Sequence, residues 1–480
     1  MMHPIVSPAR ATFRKELRLL IRDPFCVALL VCFSIGLVWA SWSSYRHWRG
    51  FAVEQTQRQA TDREAWLSQS TENAHMATHS GQTVYKPISP LAGFDPGAVS
   101  DFGSTIFLQS HHQSAAKNNP RQDEINLLQN EAYSPAVLLA LIGPLLIIVL
   151  GSASIAREKE GGTLSILLTT GASWLAIVIG KGLAVLLVLF VVAIPGLMLL
   201  ALPWFESDRL FPSLDLLARE AVIVFVFTAY CIGWFGATVA ISSNSSSMTG
   251  GFSILIALWS IISLVMPRIA GDVATLVSPL PTNASVRLEK EIAVHDANQS
   301  SAERAKASSA LEARLLEEFQ VERIEDLPID MAGAQMIDQE ANANRLYDKI
   351  QERVTQAKNR QNELIGGFQF ASPYMAMRAV SSCLAATDRT HHFDFINSAE
   401  NYRRQFVEDL NVADMKKQKT GDAPDQRRQF WDQVAEFLPN FVSVLEDVKR
   451  SLIAMICIGV WAAVAAMAAF YAPPKINRTR

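Results

Sequence analysis

Six separated apolar runs constrain this 480-residue chain more than anything else in it. They cover roughly 24–42, 134–156, 174–202, 217–241, 249–267 and 452–471. Each approaches the about 20 residues that a helix needs to cross a hydrocarbon layer about 30 Å thick. Backbone amides at that depth find no water, so runs of this kind must be helical. Pro144 and Pro195 fall inside the second and third runs and are expected to bend those helices. The first run follows a basic start but lacks a small-residue cleavage site, which predicts a retained membrane helix. With 50% hydrophobic and 19% charged residues, the composition is too apolar for an ordinary soluble protein of this length. A net charge of -3 leaves no basic excess for phosphates and excludes a nucleic-acid partner. Of the five cysteines only Cys383 lies in a polar segment, so no disulfide framework is expected and the rest are apolar packing residues.

Basic residues near the membrane ends set the expected orientation. Arg14, Lys15, Arg18 and Arg22 precede the first run, Arg157 and Lys159 follow the second, and Lys475, Arg478 and Arg480 end the chain. These regions belong in the cytoplasm, while Trp39, Trp42, Trp48 and Trp204 fit an aromatic belt on the outer side. Two polar stretches, 49–133 and 270–449, then fall outside and are long enough to be domains. The first opens with a polar helical continuation of the membrane helix, turns Pro/Gly-rich at "YKPISPLAGFDPGAV" and holds one short strand, "STIFLQ". The second is mainly helical. Leu311, Leu315 and Phe319 recur every four residues, while Tyr347, Ile350, Val354, Ala357, Gln361 and Leu364 alternate three- and four-residue steps, which predicts a helical hairpin. Two shorter amphipathic pieces, "YMAMRAVSSCLAAT" and "HFDFINSAENYRRQFVEDLN", are expected to pack on its base.

No phosphate-binding loop is present. Its nearest approach, "IGKGLAV", puts Gly182 where a metal-binding hydroxyl is needed and lies inside an apolar helix. Zinc-hydrolase and nucleophile-elbow motifs are missing too, so no catalytic, cofactor-binding or metal residues are assigned and the chain is not expected to be an enzyme. The stretch "AREKEGGTLSILLTTGAS", residues 156–173, joins the second and third runs. Glu160 precedes Gly161 and Gly162, which let the chain turn, and "TLSILLTT" has the length for two helical turns lying along the membrane. Thr163 is the expected N-cap, and Leu164, Leu167 and Leu168 form a face for the interface or for a groove on a partner.

The string Glu160-Gly161-Gly162-Thr163-Leu164 with Leu167-Leu168, then a small-residue turn and Gly180-Lys181 in the next helix, resembles the second-span boundary of type-two ATP-binding-cassette (ABC) transporter permeases. "FRKELRLLIRDP" resembles their interfacial elbow helix, with Glu16, Arg22 and Asp23 in the matching places, and Asn244 falls in the polar turn between spans four and five. The likeness is closest to the branch with two large extracytoplasmic insertions, similar to permeases of nitrous-oxide-reductase maturation and gliding motility, through "SPLAGFDPG", "KNNP", "SPYMAMRAVSSCLAATD" and "AENYRRQF". The glycine after Glu160 is doubled and "LLTTGAS" lacks the family's common proline.

The resemblance implies an all-α membrane protein of six transmembrane helices with an N-terminal elbow helix, a cytoplasmic coupling helix and two extracytoplasmic insertions, the second mainly helical. Its parts would be 1–48 (elbow and first span), 49–133 (first insertion), 134–269 (spans two to five, coupling helix 157–173), 270–449 (second insertion) and 450–480 (sixth span and tail). It further implies a multi-pass bacterial inner-membrane permease subunit with both termini cytoplasmic. Such a subunit exports a substrate with ATP and Mg held by separate ABC ATPase subunits, beside an identical or related permease. The alternative is mechanotransmission to a periplasmic partner. A receptor with an outer ligand-binding domain is the rival from another class, but only short inner segments are present to carry its output.

Other charged residues have plainer expectations. Lys181, a polar residue inside a span, is expected to snorkel to the inner surface, and Arg219 and Glu220 to anchor at the outer interface. Ser242 to Ser247 reads as a polar turn. The pairs His111-His112 and His391-His392 are expected to be solvated surface histidines rather than metal ligands. The charge pattern predicts that a cysteine placed at Ala310 reacts with an impermeant thiol label from the periplasmic side of intact cells, and labelling only in opened cells would invert the topology.

Overall fold

Asp, Asn and Ser caps start most helices in this computed structural model, which describes residues 5–99, 102–111, 134–198, 213–299, 301–416, 420–421, 423–471 and 473. Helix α1 (Val6–Arg22) stops at Asp23, whose Oδ1 accepts from the Phe25 amide at 3.0 Å and, with Pro24 in the first turn, starts α2 (Pro24–Leu67). Helix α2 continues unbroken from its apolar half into its polar half, as the sequence predicts. At 44 residues it is about 66 Å long. After it come α3 (Ala74–Ser80) and an antiparallel ribbon of β1 (Gln82–Tyr85) and β2 (Thr105–Leu108), with Gln82 opposite Leu108 and Tyr85 opposite Thr105. The strand expected at "STIFLQ" is β2, and its partner is an addition to the all-α expectation.

Four further spans follow in quick succession. They are α4 (Pro135–Glu160), joined by the short α5 (Thr163–Thr169) to α6 (Trp174–Leu197), then α7 (Ser213–Asn244) and α8 (Met248–Ser260), which runs through a π-helical turn, Ile261–Val265, into α9 (Met266–Val277). The outer stretch holds α10 (Asn283–Gln299), α11 (Ser301–Phe319), α12 (Met331–Gly367), α13 (Pro373–Leu384), α14 (Arg389–Met415), α15 (Pro424–Asp432) and α16 (Val444–Arg450), before the last span, α17 (Leu452–Tyr471). Six helices among the described residues are long and apolar enough to cross a membrane, and the chain is a multi-pass, almost wholly helical membrane protein.

Both prolines expected to bend their helices sit inside uninterrupted helices, and a neighbour supplies the donor that Pro144 removes. Pro144 has no N–H for the Ala140 carbonyl, which instead accepts from the Tyr230 hydroxyl of α7 at 2.9 Å; the adjacent Leu141 carbonyl takes the Trp259 indole N–H of α8 at 3.0 Å. Beside Pro195 of α6, Ser34 of α2 donates to the Val192 carbonyl at 3.0 Å. Within the π turn the Ile262 carbonyl accepts from Ser372 at 2.7 Å. Proline and π turn thus become points where one span is tied to the next.

The helical hairpin exists as α11 against α12, with Leu311 and Leu315 closed over by Leu327, Ile329 and Ala334. Tyr347, Ile350, Val354 and Gln361 form the buried seam of α12, and the Gln361 amide donates to the Ser278 carbonyl at the end of α9. "YMAMRAVSSCLAAT" does not sit on the hairpin base. As α13 it packs on α4, α7 and α17, and Ala376, Met377, Val380 and Leu384 join the core of the membrane bundle. Helix α13 also receives the first polar stretch: Asp95 makes a two-point ion pair with Arg378 at 2.6 and 2.8 Å, and Gly97, at φ +54°, lies so close that a Cβ would meet the Thr387 carbonyl at 2.5 Å. "SPLAGFDPG" and "SPYMAMRAVSSCLAATD", far apart in sequence, are two halves of one joint. The polar end of α2 is held in turn by Trp66, whose ring packs on Phe406 and Trp431.

Arg219 is not an interfacial anchor. It is fully buried and binds Asp215 at 2.6 Å, Asp447 at 2.7 Å and the carbonyls of Leu384 and Val442, tying α7 to α13 and α16. Nor are His391 and His392 solvated. His392 is buried and stacked on Phe102, and burial pushes its pKa down to about 3, so the ring is neutral. His391 lies between Asp388 at 2.5 Å and Asp447 at 3.2 Å, with Arg219 and Arg450 also acting on Asp447 and Lys86 on Asp388. Burial alone would lower its pKa, but the two carboxylates outweigh burial and push it up to about 9 from 6.5. A raised folded-state pKa gives stability that is complete below pH 6.5 and lost as pH climbs through about 9. Thermal unfolding of the detergent-solubilised chain should therefore lose stability between pH 6.5 and 9, and H391Q should flatten that slope.

Candidate functional site

The residues singled out around 156–173 gather at the end of the bundle where α1, α5 and the α7–α8 turn meet. The α4 terminus organises them. Lys159 Nζ donates to the carbonyls of Ser243 at 2.8 Å and Ser245 at 2.6 Å, where α7 ends with unpaired acceptors. The next residue, Glu160, accepts from the Met248 amide at 2.9 Å at the start of α8. A cation thus meets the negative end of one helix and an anion the positive end of the next, the arrangement each helix dipole favours. The serine-rich turn is gripped from both sides by two consecutive residues, and Asn244 closes α7 within it.

Helix α5 starts one residue earlier than expected. Its N-cap is Gly162, at φ +70°, rather than Thr163; Thr163 is the first helical residue and its hydroxyl donates back to the Glu158 carbonyl at 3.3 Å. Gly161 has an ordinary negative φ, so of the two glycines only Gly162 uses the left-handed region. The leucine face is also placed differently. Leu164 is buried and Leu167 and Leu168 pack partly buried against the bundle's own core, so much of that face is turned toward the bundle. What α5 leaves exposed is Gly161, Gly162, Thr163, Ile166 and Thr169.

Lys181 does not snorkel. Its ammonium is buried in α6 between Glu16 of α1 at 2.8 Å, Glu158 of α4 at 3.2 Å and the Ser154 hydroxyl at 2.7 Å, while Lys15 pairs with the same Glu158 at 2.6 Å. The expected residues Glu16 and Lys181 therefore meet, and Lys15, Ser154 and Glu158 complete a neutral cluster that sequence reasoning passed over. Four-residue spacing of Thr12, Glu16 and Leu20 on the buried face of α1 is the signal that could have found it. Helix α1 comes this close because Gly180 lacks a side chain: a Cβ there would lie 2.6 Å from the Ala9 carbonyl. Asp23 caps α2 and meets Arg157 at 3.4 Å, whereas Arg22 is exposed in the last turn of α1.

The cluster joins three helices and aims no reactive group at open space. Charges at this depth are costly alone and tolerable together. K181M should leave Glu16 buried without its cation, with Glu158 keeping only Lys15, and cost about 3–5 kcal/mol of stability, measured as a fall in thermal midpoint in detergent. Adding E16Q to K181M should recover part of that loss, since one orphaned charge disappears.

Residues 287–440, within the second polar stretch and including α11 to α15, match the model of a family described as a domain of unknown function, DUF3526. No curated protein matches the chain.

Proposed function

We propose that this chain is the permease-type membrane subunit of an ATP-binding-cassette complex, moved by ATP-hydrolysing subunits that dock against α5. Export of a substrate across the bacterial inner membrane, between this bundle and that of a second identical or related permease, is the work assigned to it. ATP and Mg belong to the partner subunits, and both chain termini lie on their side. One observation carries the reading: the segment with the family's string is bonded directly to three spans. Glu160 and Lys159 hold the α7–α8 turn from the end of α4, so a push on the exposed edge of α5 at Thr163, Ile166 and Thr169 reaches α4, α7 and α8 together.

A second reading, transmission of force to a periplasmic partner, is favoured by α2. That helix runs without a break from Asp23, beside Arg157, to Trp66 in the opposite polar region. Movement at one end need not pass through a substrate path to be felt at the other.

In a reconstituted complex with its co-expressed ATPase, K159M combined with E160Q should leave basal ATP turnover in place and lower transport or partner release several-fold. Replacing Ile166 by Asp should weaken docking of the ATPase, because its exposed side chain lies on the face left free for a partner. Coupling unchanged in both variants, or ATP hydrolysis by the purified chain alone, would overturn the reading.

A further inference from the structure

Three histidines in the polar region opposite α5 are arranged as no packing requirement explains. His75 and His79 stand one turn apart on α3 and so share a face. His111 follows β2 in the left-handed region, at φ +63°, an unfavourable place for a residue with a side chain. One ring nitrogen from each of the three lies within 4.8 Å of those of the other two. The sequence analysis weighed His111 with His112, which falls outside the described residues; the true neighbours of His111 are the pair on α3.

Each ring is also held by its other nitrogen. His75 Nδ1 meets the Asn411 side-chain oxygen at 2.7 Å, His79 Nδ1 meets the Ser110 hydroxyl at 3.2 Å, and His111 Nδ1 meets Glu340 Oε2 at 3.0 Å. Glu340 is a carboxylate bonded to Arg403 at 2.7 Å and to the His111 amide, so it can only accept, and His111 must donate through Nδ1. The carbonyl oxygen of Asn411 imposes the same tautomer on His75. Both rings then present a bare Nε2. The Tyr347 hydroxyl adds a 2.7 Å bond to the His111 carbonyl, fixing the loop that carries the ring. Two of these supports, Asn411 and Glu340, are themselves buried. Oriented imidazoles whose outer nitrogens are engaged by carboxylate, amide and hydroxyl are the supporting shell that metal-bound histidines have.

From this geometry we infer that His75, His79 and His111 form a binding site for a divalent transition-metal ion of borderline softness, with Zn2+ the best fit. Zinc takes imidazole nitrogens at about 2.0–2.1 Å, so two ligands of a tetrahedral site stand roughly 3.3–3.4 Å apart. His75 Nε2 and His79 Nε2 are 3.3 Å apart. The His111 ligand nitrogen lies within 4.8 Å of the other two and would close on the same centre by side-chain adjustment, and the exposure of His79 leaves room for water or another donor as a fourth ligand. Without metal, His79 can donate from Nε2 to His75 while Ser110 donates to its Nδ1. When the ion takes Nε2, the His79 proton moves to Nδ1, which then donates to the Ser110 hydroxyl oxygen, so no proton is released. The inference is independent of any coupling to ATP.

The test uses the untagged full-length chain in detergent, stripped with a chelator and then titrated with Zn2+ followed by metal analysis. One Zn2+ per chain is expected. H79Q, at an exposed position, and H111N, which keeps a residue tolerant of positive φ, should each bind at least about tenfold more weakly, and S110A about tenfold more weakly. A stripped wild type that takes up no Zn2+, or variants that bind as tightly as wild type, would overturn the site. If a variant loses its helical circular dichroism, Co2+ substitution of the wild type decides instead. The absorption bands of tetrahedral nitrogen-coordinated Co2+ uphold the site, and an octahedral aquo spectrum overturns it.

Discussion

A lysine ammonium closed inside the membrane bundle sets the arrangement of everything around it. Lys181 cannot reach water from its position on α6, so it must be met by charge, and Glu16 and Glu158 come from two other helices to do so. Between helices in lipid the hydrophobic effect gives no net drive, since lipid tails are as apolar as leucine, and polar contacts therefore decide which faces meet and in what register. The cluster does this for α1, α4 and α6. An apolar trio of the same volume could match its stability, but sliding any helix by one turn would then cost little.

A second buried charge centre does the corresponding work at the opposite end. Arg219, with Asp215 and Asp447, joins α7 to α13 and α16, and His391 with Asp388 extends the network into α14. The guanidinium is suited to the place because its fixed fork reaches two carboxylates and two carbonyls at once, which a lysine could not. Residues 287–440, the stretch matched by DUF3526, are thus fastened to the bundle partly through a span residue lying outside that stretch.

How much of this could be seen beforehand depended on whether a feature was periodic or a meeting of distant residues. The spans, the polar continuation of α2, the strand at "STIFLQ" and the seam of α12 follow from spacing along the chain, and all are present. Pairings were not legible. Lys181, Arg219 and the histidines His391 and His392 read as belonging to water or the interface because deciding partners are distant in sequence: Glu16 for Lys181, Asp447 for Arg219 and His391, and Phe102 for His392. The leucines of α5 were visible as a face, but a face says nothing of which neighbour it covers. Helix α3, at seven residues, was too short to show its own period, so the His75 and His79 pair passed unnoticed.

The Arg219 centre and the α4 clasp share one element. Helix α7 is held at its end by Lys159, through the carbonyls of Ser243 and Ser245, and near its start by Arg219. Its 32 residues make it about 48 Å long, and α17 packs along it with Trp461 against Trp234. Near the start of α7 lie Asp447 and His391, where α13, α14 and α16 meet. The contacts at Arg219, like the Asp95–Arg378 pair, cannot be broken without leaving charge buried. The joint at Arg219 is therefore where the long α7 is held to the outer helices by buried charge rather than by apolar packing alone.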